Sequence, residues 1–186
     1  MSVKLITPPA ELVTLAEARM QCRADNTVED SLITNLISAA RKYAEHYTQK
    51  AIGLQTLELA LDEFPSGAIE LPMSPATSIT SIKYINTAGV ETTMQAAAYV
   101  LDDYPPISWA LCAYGTTWPA TQAAANAVKV RYVAGLATVS AATRAAMLLQ
   151  IAHLFENREA VNVGSVVTNL PMGVKALLDT DRTWSL

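Results

Sequence analysis

The spacing of apolar residues changes twice along this sequence, and those two changes constrain the fold before any motif is considered. Up to about Gly53 apolar residues recur every three or four positions; from Gln55 to about Gly135 they alternate every second position; after Gly135 the helical interval returns. A chain patterned in this way is α+β, with two helices at each end and a strand-rich section between them. The 186 residues suffice for one good core, so we read 1–186 as a single domain that carries 55–135 as an insertion.

The N-terminal part carries two helix-start signals. In "TLAEARMQCR", Thr14 precedes Glu17 by three residues, so each side chain can satisfy the other's free backbone donor, and a short helix is predicted to about Arg23. Thr27 and Asp30 repeat that spacing. Behind them Val28, Leu32, Leu36, Ala39, Tyr43 and Tyr47 share one face of a long amphipathic helix expected to end near Gly53. In the middle section "TLELALDEF" and "SITSIKYIN" alternate as half-buried strands, and "NTAG" predicts a hairpin turn into Val90. Further strands are expected over 99–102, 108–113 and 128–133, while Pro65, Pro72, Pro75, Pro105, Pro106 and Pro119 exclude long central ones. Ala142, Ala145, Met147, Leu148, Ile151, Ala152, Leu154 and Phe155 then predict a helix buried on all sides and reaching Glu159; a last helix runs from Pro171 to about Asp179. A 51% hydrophobic fraction with only 6% aromatics, much of it alanine, suits such close-packed helices.

Several function classes lack their residues. Cys22 and Cys112 stand apart with no CxxC or Cys/His spacing, so neither a disulfide framework nor a zinc site is expected. Apolar runs are interrupted well before about 18 residues, and no leader pattern follows Met1, so a soluble intracellular protein is expected. His46 and His153 have no partner at metal-ligand or catalytic spacing and are read as a solvated and a packed side chain. The serines of "FPSGA" and "VGS" do not sit in a GxSxG elbow, and no phosphate-binding glycine loop occurs. Adjacent strand carboxylates such as Asp102 and Asp103 point to opposite faces and make a poor cation site. Tyr43 and Tyr47, one helical turn apart, lack the basic neighbours of a base-stacking platform and are read as packing residues; Trp118 is expected to pack under the loop that follows it.

Charge points the same way. The net charge is −4, and between Ala51 and Pro119 Lys83 is the only basic residue against Glu58, Asp62, Glu63, Glu70, Glu91, Asp102 and Asp103. Such a section repels phosphate backbones. What remains is "AVNVGSVVTNLP": Val161, Val163, Val166 and Val167 favour extended geometry, and Pro171 keeps Leu170 out of a helix, so an extended arm between two helices is expected. Trp184, a large ring in a terminal segment, needs a covering partner in the same way.

Taken in order, "LITPPAELVTLAEAR", "YAEHYT", "FPSGAIELP", "SITSIKYIN", "YGTTW", "VKVRYVAG" and "MLLQIAHLFENREAV" make the chain similar to the head-tail connector, or adaptor, proteins of long-tailed double-stranded DNA phages, a family that includes prophage proteins described as possible DNA-packaging proteins. The resemblance covers nearly the whole length. It implies a helical connector fold, a ring of dodecameric size docked on the portal protein, and a platform for tail-completion or stopper proteins. DNA would pass through the centre without specific binding. It implies a virion protein of the head-tail junction, made in the bacterial cytoplasm, with no catalytic residues, cofactor, metal or membrane. Val161, Val163, Val166, Val167, Leu170 and Trp184 become candidate contacts to a neighbouring subunit or the portal. The alternative is a packaging factor that grips DNA directly, which requires a basic patch.

Overall fold

A computed structural model of the protein describes residues 2–104, 106–157 and 172–182. The elements run β1 (Ser2–Thr7), α1 (Leu15–Cys22), α2 (Asp30–Thr48), β2 (Gln55–Leu61), β3 (Ile69–Leu71), β4 (Ala76–Ile85), β5 (Glu91–Thr93), a 3₁₀ turn (Ala96–Ala98), β6 (Tyr99–Asp102), β7 (Ser108–Cys112), β8 (Val128–Ala134), α3 (Ala141–Glu156) and α4 (Met172–Asp179). The fold is therefore α+β. Two compact units form, one from residues 1–10 with 53–136 and one from 11–52 with 137–186.

In the helical unit α1 begins as its spacing demands. The Thr14 N–H and hydroxyl donate to the Glu17 carboxylate at 2.8 and 2.7 Å, and the Glu17 N–H donates back to Thr14 Oγ1 at 3.2 Å. The second expected box does not form. Glu29 is the N-cap of α2 and makes no side-chain cap, while Asp30 faces Arg19 at 3.4 Å and Val28, before the helix, is 84% exposed. α2 also stops earlier than Gly53. Gln49 takes the left-handed position after Thr48, and the Glu45 carboxylate accepts the Ile52 N–H at 2.9 Å, which turns the chain out of the helix. Gly53, in the strand unit, meets a different need: at φ +82 it lies so close to Pro9 and Ala10 that a Cβ would sit 2.8 Å from Pro9 Cβ.

Ile33, Ile37, Ala40 and Ala44 of α2 pack with Ala18 and Cys22 of α1, Ala146, Met147 and Ile151 of α3, and Val174 and Leu178 of α4. α3 is less enclosed than its composition predicts. Thr143, Ala146, Met147, Gln150 and Ile151 form one buried stripe at helical spacing, whereas Leu148, Leu154 and Phe155 are half-buried and Leu149 is exposed. The segment from 158 to 171, including the expected arm, lies outside the described residues.

The strand unit holds a five-stranded antiparallel sheet in the order β1-β2-β8-β4-β5 and a three-stranded one in the order β3-β7-β6. β8 alternates buried and half-buried residues along its whole length, and Leu57, Leu59, Ile82, Val128, Val130 and Tyr132 supply the core. Asn86 shapes the "NTAG" turn by accepting the N–H groups of Ala88 and Val90, both at 3.0 Å, with Gly89 at φ +81. Ser74 and Ser108 tie the sheets together: the Ser108 N–H donates to Ser74 Oγ at 2.7 Å, and Ser108 Oγ accepts the Ala76 N–H at 2.9 Å. The Tyr132 hydroxyl donates to the Pro72 carbonyl at 2.7 Å, and burial pushes its pKa up. Two strands, β1 and the short β3, lie outside those the alternation marks.

Candidate functional site

The side chains with chemical potential are dispersed. His46 is exposed on α2, and His153 sits on α3 with its Nδ1 3.3 Å from the Asn157 amide nitrogen. Cys22 is buried in the helical unit and Cys112 half-buried in the strand unit; burial pushes both thiols up, away from the reactive thiolate. Asp102 accepts the Tyr104 N–H at 3.2 Å, so it shapes a loop edge. Among the described residues no group of three or more His, Cys, Asp and Glu is placed to hold a metal ion, and no helix is long and apolar enough to cross a membrane.

Tyr43, Tyr47 and Trp118 serve packing, whereas Tyr104 and Tyr114 are exposed. Tyr43 and Tyr47 stack at 6.2 Å, the Tyr47 hydroxyl donates to Asp179 at 2.8 Å, and the Arg182 guanidinium lies 5.3 Å from the Tyr47 ring centre. Those contacts seat α4 on α2. Trp118 packs on the loop before β3 rather than the one after it, stacked on Phe64 at 5.0 Å with its indole N–H donating to the Gly67 carbonyl at 2.7 Å. The surface carries more apolar area than these pairs absorb. Val100 and Leu111 face each other across β6 and β7 at 52% and 36% exposure, and Val3, Leu5 and Ile6 are exposed on β1.

Electrostatics give no grip for a polyanion on the strand unit. Its basic side chains are Lys4, Lys83, Lys129 and Arg131. Lys83 and Lys129 share Glu91 at 3.2 and 3.5 Å, and Arg131 holds Glu58 at 2.6 Å. The two lysines hold the Glu91 carboxyl below the usual range. Only Lys4 remains outside those ion pairs, too little for counterion release of any size.

The strand unit exposes apolar residues on β1, β6 and β7, and comparison with known proteins shows what such a chain is similar to. The sequence model described as "Phage gp6-like head-tail connector protein" matches residues 12–103. The chain belongs to the phage head-tail connector family. Solved structures similar to this connector protein include "Neck of empty GTA particle computed with C6 symmetry" and "Virion of native gene transfer agent (GTA) particle", each 26% identical with a TM-score of 0.82, covering 100% of this chain and 97% of the other. A third, "Neck of native GTA particle computed with C12 symmetry", is 25% identical at a TM-score of 0.77 with the same coverage. No curated protein matches the connector in sequence. Its role is structural. Val161, Val163, Val166, Val167, Leu170 and Trp184, the contacts marked from sequence, lie outside the described residues.

Proposed function

We propose that this connector is one subunit of a ring at the head-tail junction of a phage-type particle, docked on the portal and carrying tail-completion or stopper proteins on its other side. The carrying observation is a fold shared over the whole chain with subunits of necks computed with sixfold and twelvefold symmetry. Twelve copies are the natural count for the finer of those symmetries. In this reading 1–186 is a single connector domain of the helical connector type, 55–135 is its insertion, and DNA passes through without specific contacts. The acidic, internally paired strand unit supports a surface that does not hold a polyanion.

The valine-rich segment is the proposed contact to a neighbouring subunit or the portal. Val166→Asp combined with Val167→Asp tests it, because charges buried at an interface without partners cost several kcal/mol, of order 3–5. The expected result is an unchanged melting temperature for the isolated chain and loss of portal binding in co-sedimentation. Wild-type binding by the double variant would remove this segment from the interface.

A further inference from the structure

Among the described residues the five-stranded sheet ends in two unlike open edges. β1 forms one, and all six of its residues are exposed, with Val3, Leu5 and Ile6 at 40%, 44% and 36%. β5 forms the other, preceded by Val90 at 57% exposure. An exposed, apolar, proline-free edge is a template for strand addition, and a chain that keeps one must have it covered or must aggregate.

Topology decides what can cover it. Every neighbouring pair in β1-β2-β8-β4-β5 is antiparallel, and the sheet has an odd number of strands, so β1 and β5 point the same way within one copy. Copies around a rotation axis repeat a head-to-tail contact, in which one surface meets a different surface of the next copy. Self-pairing of β1 would instead give a closed two-fold dimer. We infer that the β1 edge of each copy pairs, in parallel, with the β5 edge of a second copy, so that the sheet continues from subunit to subunit around the ring. This rests on the ring reading given above and adds its seam. The offset that lays all three residues of β5 along Val3–Leu5 sets Val3 beside Glu91 and Leu5 beside Thr93, against two of the three exposed aliphatic residues of β1.

Disulfide trapping tests the seam, since β1 and β5 of one copy are separated by four strand spacings, about 19 Å, and cannot be bridged internally. In a Cys112→Ser background, with Cys22 left buried, Val3→Cys with Glu91→Cys and Leu5→Cys with Thr93→Cys are oxidised after assembly, alone at high concentration and on the portal. Both pairs are expected to give a reducible ladder that climbs toward ring size, and each single-cysteine variant none. Rings without a ladder, or a ladder from the antiparallel combinations Val3 with Thr93 and Leu5 with Glu91, would overturn the seam while leaving the ring intact; absence of rings from the unmodified chain would remove both. As a second variant, Val3→Lys with Leu5→Lys changes only exposed positions. It should keep the melting temperature and lower the assembled fraction at least tenfold, and full assembly by it would again overturn the seam.

Discussion

Arg41 carries its charge at 4% exposure, held by Glu11 at 3.0 Å and by Glu45 at 2.9 Å. Glu45 is itself 7% exposed and also accepts the Ile52 N–H. Removing the guanidinium takes the opposite charge away from a buried carboxylate inside the helical unit, which costs about 3–5 kcal/mol. Arg41→Ala should therefore lower the unfolding free energy by that amount in urea titration; a change below about 1 kcal/mol would show that water reaches Glu45. At this scale the sequence was readable where one turn contains the whole device, as with Thr14 and Glu17. It was silent on the Arg41–Glu11 pair because Glu11 lies thirty positions away. It misled at Thr27 and Asp30, where Arg19 takes the carboxylate that a capping box needs.

The end of α4 is stitched to the start of α3. Ser140, the N-cap of α3, and Thr143 both donate their hydroxyls to the Asp181 carboxylate, Thr143 at 2.6 Å. These bonds hold the Asp181 pKa below its ordinary value, helped by Lys50. A depressed carboxylate contributes stability that is fully present above its unfolded value near 4 and is lost as pH falls through the folded value. Asp181→Asn should cost about 1 kcal/mol at pH 7, and the gap to wild type should close as melts are taken down toward pH 3. A gap constant with pH would assign the loss to packing. Elements were legible wherever local periodicity is strong: β2, β4, β6, β7 and β8, and α1, α3 and α4 among the described residues, fall near where the spacing sets them, while α2 starts later and stops earlier than its spacing sets. β1 was not, because its partner is about fifty to sixty residues on, Ser2 lying opposite Ala60 and Thr7 opposite Thr56, and six residues of "SVKLIT" carry too short an alternation to stand alone. That strand carries the proposed seam, so this part of the site needed topology.

For the whole molecule, charge and assembly make separate predictions. With net charge −4 and the strand unit's lysines and arginine largely committed to Glu91 and Glu58, the free protein should bind duplex DNA no tighter than about 100 µM at physiological salt. A gel shift with a steep salt dependence would favour direct packaging contacts. The fold class and the family were both visible in the sequence, since the double change of period and the order of its motifs span the full length. The identity of each interface was not, because a single chain records which apolar residues are exposed but not what covers them. The central claim is that this connector is a ring subunit of a neck, and electron microscopy of the purified protein, alone and mixed with its portal, tests it most directly. The account predicts closed rings stacked coaxially on the portal, with twelve subunits; a protein that stays monomeric at every concentration and leaves the portal bare would contradict it.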